Sequence, residues 1–163
     1  MIGKYKVVTL CGSTRFKDEF MKIQKELTLK GYIVISVGLF GHSGDNEVWE
    51  GMDEDTLTNT KIMLDDMHKR KIDMADEIYV INVDGYIGDS TKSEIEYAKQ
   101  HGKSVKYLVH PLIGKRVRIK RCGATRTITK VTDFEEDTFG QGNFAIDTDR
   151  GEYLYECEIE LLD

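Results

Sequence analysis

The sequence predicts an α/β fold, in which a parallel β-sheet carries helices on both faces and a small antiparallel β appendage follows. Before Pro111, short apolar runs alternate with helical segments in the order β-α-β-α-β-α-β, which is typical of a parallel sheet. After Pro111, apolar residues recur at every second position, as in strands that bury one face. Pro111 is the only proline among the 163 residues, and it stands where the pattern changes. We therefore expect two domains, residues 1–111 and 112–163.

The strands predicted before Pro111 are short apolar runs, namely Lys6–Cys11, Tyr32–Val37, Glu77–Val83 and Ser104–Val109. The first helix follows a turn at Ser13-Thr14, whose hydroxyls suit an N-cap, and it ends at Gly31. The second helix covers about Asp53–Met74 and the third covers Ser90–His101. Apolar residues at helical spacing predict the buried face of the first helix. They are Phe16, Phe20, Ile23 and Leu27.

The tail is expected to form short antiparallel strands. They lie near residues 115–121, 125–133, 143–148 and 152–162. In the last strand, the alternation places five side chains on one face. They are Tyr153, Tyr155, Cys157, Ile159 and Leu161. A tail of about 50 residues built from such hairpins suggests a small barrel of the SH3-like kind or an antiparallel add-on.

Charge is distributed unevenly along this tail. Residues 115–130 hold seven basic and no acidic side chains, whereas residues 133–163 hold eleven acidic and one basic. Strands of opposite charge that pair across a sheet explain this division, and a basic stripe for nucleic acid is the alternative. The net charge of the whole chain is −6, which disfavours a general nucleic-acid-binding protein.

Composition argues against several other classes of protein. No apolar run approaches the ~20 residues that a membrane span needs, and the charged start is unlike a secretion signal. The three cysteines lie far apart, and neither CxxC nor HxxH spacing occurs. We therefore predict no disulfide framework and no metal. We also expect no cofactor. Free cysteines also favour a protein of the reducing cytoplasm.

A glycine turn, Gly12-Ser13-Thr14-Arg15, follows the first strand. Parallel sheets bind ligands at the carboxyl ends of their strands, and backbone N–H groups, hydroxyls and an arginine form a phosphate cradle there. The alternative is an ordinary helix cap with a surface arginine. The turn matches neither the P-loop nor the GxGxxG pattern, which argues against ATP hydrolysis and dinucleotide binding. His42, in the loop after the second strand, is either a further ligand contact or a solvated histidine.

The segment after the third strand contains a second group of candidate residues. Gly88-Asp89-Ser90 suits a sugar or a phosphate. Glu94 is expected in the first turn of the next helix, where a carboxylate serves as nucleophile or general base. The alternative is a capping box, because Thr91 and Glu94 have the required spacing. Asp76 is interpreted as a helix-to-strand loop residue, which the topology places at the other end of its strand.

Two further side chains are interpreted as structural. His68 lies beside Lys69-Arg70-Lys71, so we predict a solvated helix face, with an anion contact as the alternative. Cys11 directly precedes the glycine turn, and we predict that it is a small buried residue. Neither is expected to take part in chemistry.

Three segments together resemble the nucleoside 2-deoxyribosyltransferase superfamily, which includes nucleotide N-glycoside hydrolases acting on deoxynucleoside 5′-monophosphates. They are LCGSTRF, MADEIYVINV and STKSEIEYAKQHGKSV, and the likeness covers residues 5–109. The resemblance implies a flavodoxin-like (Rossmann-like) sheet and a homo-oligomer. It also implies that Glu94 is the nucleophile, that Asp76 lies near the base, and that Gly12–Arg15 surrounds the sugar and its 5′ group.

The reaction implied by this resemblance cleaves or transfers the N-glycosidic bond of a (deoxy)nucleoside or a nucleoside 5′-monophosphate. Glu94 displaces the base from C1′, Asp76 or a water helps to protonate the base, and water or another base opens the glycosyl-enzyme. Two positions depart from the family: Gly88 replaces an aspartate, and Glu96 replaces a glycine. They motivate the alternative of a non-catalytic nucleotide-binding module, which senses or sequesters its ligand and binds a partner through the β tail.

Overall fold

The computed structural model describes residues 1–134 and 143–162. The chain divides into two compact units, Met1–Val109 and His110–Asp163. This division falls two residues before the boundary predicted after Pro111. Each unit has its own sheet and its own buried apolar residues. None of the helices in the described residues combines the length and the apolar character that crossing a membrane requires.

The first unit is built on a parallel sheet. Its strands are β1 (Val7–Gly12), β2 (Ile33–Ile35), β3 (Glu77–Ile81) and β4 (Ser104–Tyr107). The strand order is β2-β1-β3-β4, and every neighbouring pair is parallel. The connecting helices are α1 (Lys17–Leu29), α2 (Glu54–Met74) and α3 (Asp89–Gln100), with short 3-10 turns at Asn46–Trp49 and Val83–Gly85. The predicted parallel α/β arrangement is confirmed.

Helices cover both faces of this sheet, as the sequence predicts. One face packs against α1, whose buried side chains are Phe20, Ile23 and Leu27. The other face packs against α2 and α3 through Ile72 and Ala98. Full burial of a side chain as large as Phe, Ile or Leu contributes about 1.5–3 kcal/mol relative to exposure. These contacts therefore hold each helix against its face of the sheet.

The start of α1 differs from the prediction. The helix begins at Lys17, its N-cap residue is Phe16, and no side chain within residues 1–134 and 143–162 caps it. The predicted hydroxyl cap at Ser13-Thr14 is wrong, because the backbone forms a separate turn there, in which Phe16 N donates to Ser13 O at 3.0 Å. The side chains of Ser13 and Thr14 are therefore not used to cap α1.

The second unit contains an antiparallel sheet. Its strands are β5 (Arg116–Ile119), β6 (Thr125–Asp133), β7 (Phe144–Thr148), β8 (Tyr153–Tyr155) and β9 (Ile159–Leu161). Their order is β8-β7-β6-β5-β9. The single strand predicted over 152–162 is wrong, because a 3-10 turn at Glu156–Glu158 divides it. The predicted alternation breaks there too: Leu154 is buried, whereas Tyr153 and Cys157 are exposed.

Opposite charges pair across this second sheet. Arg118 lies opposite Glu160 in the β5–β9 pair, with Nη1 and Oε2 3.2 Å apart. Arg126 donates from Nε to Glu152 Oε1 at 2.7 Å. These two pairs agree with the charge-pairing explanation of the uneven tail.

The strand order of the first sheet reverses at β1, because β2 lies on one side of β1 whereas β3 and β4 follow on the other side. Such a reversal leaves a crevice outside the carboxyl ends of the two central strands, where ligands bind. At this end Gly12 approaches β3 closely, with φ at +152°. A Cβ on Gly12 would lie 2.8 Å from Ile81 O and 3.3 Å from Phe20 Cε2. Glycine is therefore required at the exit from β1.

The side chain of Asn82, directly after β3, hydrogen-bonds the backbone of Val109 at the end of the first unit. Asn82 is 1% exposed. Its Nδ2 donates to Val109 O at 2.7 Å, and its Oδ1 accepts from Val109 N at 2.9 Å. The amide therefore hydrogen-bonds both backbone groups of Val109 beyond the end of β4.

Candidate functional site

Three side chains from distant parts of the sequence meet at the carboxyl edge of the parallel sheet. Cys11 lies at the end of β1, His68 in α2 and Glu94 in α3. Cys11 Sγ lies 3.5 Å from His68 Nε2, which lies 3.8 Å from Glu94 Oε1. One ligand-type atom from each residue lies within 4.8 Å of the other two. We refer to these three residues as the Cys–His–Glu cluster.

Glu94 faces the interior and does not cap its helix. Since α3 begins at Asp89, Glu94 lies in the second turn rather than the predicted first turn. The N-cap residue is Gly88, and no side chain in the described part of the chain caps α3, so the predicted capping box at Thr91 and Glu94 is wrong. The Glu94 side chain is 13% exposed, and its Oε2 is buried with no hydrogen-bond partner among the described residues. An unmet buried acceptor costs about 1–3 kcal/mol, which a bound ligand or ion offsets.

Burial governs the protonation of the cluster. Burial raises the pKa of Glu94 from 4.5 to about 8, against the opposing hydrogen bond from the Cys11 thiol. Burial lowers the pKa of His68 from 6.5 to about 4, and the charge of Lys71 adds to this shift. Burial also raises the pKa of Cys11 well above its usual value, with Glu94 adding to the effect. The uncharged forms of all three side chains are therefore favoured at neutral pH.

His68 and Cys11 are the two residues of this site that the sequence did not associate with Glu94, although Cys11 is buried as predicted. The predicted solvated face is wrong for His68, which is 8% exposed and lies on the side of α2 that also buries Ile72. Lys71 is half-buried as well and donates from Nζ to Ser36 O at 3.0 Å. The helical spacing of Leu64, His68 and Ile72 indicates that His68 is buried, because it places the histidine in an apolar stripe of the helix.

The Gly12–Arg15 turn adjoins the cluster, because it follows Cys11 directly. Arg15 Nε donates to Ser13 Oγ at 3.1 Å, and the Arg15 guanidinium lies 4.5 Å from the centre of the Tyr86 ring. Thr14 Oγ1 lies 2.8 Å from His42 Nδ1. The turn therefore contacts the loops that follow β2 and β3, and His42 is brought to the predicted cradle.

The other predicted binding residues lie at the start of α3. Gly88 is close to the Arg15–Tyr86 contact, since a Cβ there would lie 3.4 Å from Tyr86 Oη. The Asp89 side chain is 98% exposed and pairs with Lys92 at 2.9 Å. Ser90 is exposed too. The structure thus places Gly88 beside the turn, whereas Asp89 and Ser90 face solvent.

Asp76 lies at the opposite end of the sheet from Glu94. It precedes β3, and its backbone N–H donates to Val7 O at 2.9 Å, where β1 begins. Its carboxylate accepts from the Met1 amine and from Val7 N, and these bonds lower the pKa of Asp76. The structure does not bring Asp76 to the cluster, as the topology of the predicted sheet indicated.

Comparison of the chain with family models, with curated proteins and with solved structures gives no match. What the site can do follows from its own groups. A buried carboxyl oxygen with no hydrogen-bond partner among the described residues belongs to a side chain that lies beside an imidazole and a thiol. An adjoining turn supplies hydroxyls and a guanidinium, which suit an anionic ligand.

Proposed function

We propose that the first unit cleaves or transfers the N-glycosidic bond of a (deoxy)nucleoside or a nucleoside 5′-monophosphate, with Glu94 as the nucleophile. The observation that carries the proposal is Glu94 Oε2, which is buried and has no hydrogen-bond partner among the described residues. It belongs to the carboxyl edge of the sheet, where the strand order reverses. Carboxylates of retaining glycosidases attack an anomeric carbon in this way. The strand order supports a flavodoxin-like sheet, and the resemblance of three segments to the nucleoside 2-deoxyribosyltransferase superfamily supports the same reaction.

In the proposed reaction, Glu94 first loses its proton to solvent, because burial raises its pKa to about 8, and the ionised carboxylate then attacks C1′ of the sugar. The C1′–N bond breaks, and the base leaves with the bonding electron pair and takes a proton from water. A second water then attacks C1′, loses a proton to solvent, and frees the Glu94 carboxylate and the sugar. In a transfer reaction, a nitrogen of another base attacks C1′ instead. Two successive displacements retain the configuration at C1′.

His68 acts in this proposal as a positioning residue for Glu94. Its Nε2 is 3.8 Å from Glu94 Oε1, and the backbone of Leu10 hydrogen-bonds the imidazole. These contacts hold one carboxyl oxygen and leave the other, Oε2, for the ligand. Asp76 has no part in the reaction, because it lies at the far end of the sheet.

Arg15 is proposed to bind the 5′ group of the substrate. Within residues 1–134 and 143–162, its contacts are with the neutral groups of Ser13 and Tyr86. A guanidinium paired with no carboxylate is available for two parallel hydrogen bonds to a phosphate. This arrangement favours a nucleoside 5′-monophosphate over the nucleoside.

The test measures base release chromatographically from deoxynucleosides and their 5′-monophosphates, with and without an acceptor base. The Glu94→Gln variant is expected to lose roughly a thousandfold or more in kcat, as enzymes do on losing a nucleophile. Glu96→Gln is the matched control, because Glu96 lies on the same helix, is exposed and accepts a bond from Gln100. Equal base release by Glu94→Gln and the wild type would exclude Glu94 as the nucleophile.

Calorimetry with the same compounds separates the proposal from its alternative. Nucleotide binding without base release would favour a non-catalytic nucleotide-binding module. If no nucleoside or nucleotide binds, both functions are excluded.

Three broader expectations complete the proposal. The three cysteines are free, which supports a reducing, cytoplasmic location. The five-stranded antiparallel sheet of the second unit supports a small SH3-like barrel. Arg118 and Arg126 are paired with acidic side chains, which weighs against a basic stripe for nucleic acid.

A further inference from the structure

We propose that the Cys–His–Glu cluster is a binding site for one zinc-like divalent cation, with Cys11, His68 and Glu94 as its protein ligands. Sequence motifs predict no metal, since the three residues are separated by 57 and 26 positions. The fold brings them together from one strand and two helices. A site carried by such elements is held more firmly than one carried by loops.

The separations between donor atoms suit a tetrahedral zinc ion. Zinc bonds of about 2.3 Å to sulfur and about 2.0–2.1 Å to nitrogen, at the tetrahedral angle, place the two donor atoms about 3.5 Å apart. Cys11 Sγ and His68 Nε2 are 3.5 Å apart. The same arithmetic gives about 3.4 Å between nitrogen and a carboxylate oxygen. His68 Nε2 and Glu94 Oε1 are 3.8 Å apart, so a small side-chain rotation completes the site.

The ligand types also select the cation. A thiolate, an imidazole and a carboxylate together suit zinc or cobalt, whereas magnesium and calcium prefer oxygen ligands alone. Three protein ligands leave a fourth position open, as in zinc sites that bind water or a substrate. An imidazole N–H of His68 donates to the backbone of Leu10, and this is the kind of second contact that orients a metal-binding imidazole.

The burial of these polar side chains favours the binding of a cation to the cluster. Glu94 Oε2 has no partner among the described residues, and Cys11 is completely buried. Binding replaces the thiol proton of Cys11 and ionises Glu94, so that the two anions and the divalent cation balance in charge. A bound cation also occupies the carboxylate of the proposed nucleophile, so loading is expected to inhibit base release. Only that last expectation rests on the proposed function.

The test adds Co²⁺ to the full chain after treatment with a chelator and desalting. We expect one equivalent to bind, with a thiolate-to-cobalt charge-transfer band and the visible absorption of tetrahedral cobalt. Cys11→Ser is expected to abolish the charge-transfer band. The matched control is the double variant Cys122→Ser and Cys157→Ser, because both of these cysteines are free and exposed in the second unit. His68→Gln, with folding checked by circular dichroism, provides a second test if Cys11→Ser does not fold.

The proposal is overturned if folded wild type binds no stoichiometric Co²⁺, or if the double variant rather than Cys11→Ser or His68→Gln removes the band. Base release is measured separately, in chelator and then with added Zn²⁺. Loss of the cobalt signal with intact base release refutes the metal site alone. A normal cobalt signal with no base release in chelator refutes the proposed reaction alone.

Discussion

Replacing Glu94 by glutamine should change how the stability of the first unit depends on pH. Burial raises the pKa of Glu94 to about 8 in the folded chain, against an ordinary value of 4.5 when unfolded. Between these values the folded state keeps a proton that the unfolded state has released. The stabilisation is therefore complete below pH 4.5 and is lost as the pH rises through about 8. Glutamine has the same shape and does not titrate, so the loss should disappear.

The size of the effect follows from the pKa difference. Each pKa unit corresponds to about 1.4 kcal/mol, so the full shift of Glu94 amounts to about 5 kcal/mol. About 2 kcal/mol of this falls between pH 6.5 and 8.5. His68 has the opposite sign, because its folded pKa is lowered to about 4 and its stabilisation is lost as the pH falls below 6.5. Between pH 4.5 and 6.5, the effects of Glu94 and His68 on the pH dependence of the unfolding free energy cancel. Above pH 6.5, the effect of Glu94 dominates.

The assay is urea unfolding in chelator at pH 6.5, 7.5 and 8.5. Trp49 is the only tryptophan of the chain and lies in the first unit, with its Nε1 donating to Gly41 O, so its fluorescence reports on that unit. Relative to wild type, Glu94→Gln should gain about 2 kcal/mol over this interval, measured by linear extrapolation. Glu96→Gln should keep the wild-type slope. If Glu94→Gln keeps that slope too, Glu94 is not held protonated by burial.

Three further predictions use other parts of the molecule. Gly12→Ala should destabilise the first unit by about 1–3 kcal/mol in the same urea assay, because its Cβ meets Ile81 O at 2.8 Å. Gly85→Ala, at φ +78° with nothing within 4 Å, measures the cost of backbone strain alone, and an equal loss there would contradict the steric explanation. Arg15→Gln should raise KM for nucleoside 5′-monophosphates about tenfold and leave KM for nucleosides unchanged; equal KM effects would rule out a 5′-phosphate contact. Arg118→Gln should cost less than about 1 kcal/mol by thermal unfolding, since its pair with Glu160 is exposed; a larger loss would show that Arg118 has another structural role.

Local sequence patterns predicted the parallel sheet and the buried face of α1, because each depends on spacing within one element. Phe20, Ile23 and Leu27 are buried as their helical spacing indicated. Phe16, predicted for the same face, precedes the helix as its N-cap residue and is half-buried. The charge-pairing explanation of the tail also agrees with the Arg118–Glu160 pair. Both predictions succeeded because they depend on residues of one helix or of two strands that pair directly.

The parts that local patterns did not predict depend on contacts between distant elements. His68 has charged neighbours in sequence, yet contacts with Cys11 and Glu94 accompany its burial. Because α3 begins at Asp89, Glu94 lies in the second turn rather than the predicted first turn. Capping patterns in the sequence do not identify this start. The predicted strand 152–162 divides because β8 pairs with β7, whereas β9 pairs with β5. A single alternating pattern in the sequence does not show that its two halves pair with different strands.

The two hydrogen bonds between the Asn82 side chain and Val109 have a practical consequence for dividing the gene. Val109 lies two residues after β4 ends at Tyr107, where a designer guided by strand boundaries would place a stop codon. A protein truncated there would leave both polar ends of a buried amide unsatisfied, at a cost of about 1–3 kcal/mol for each group. An expression fragment of the first unit should therefore extend at least through Val109.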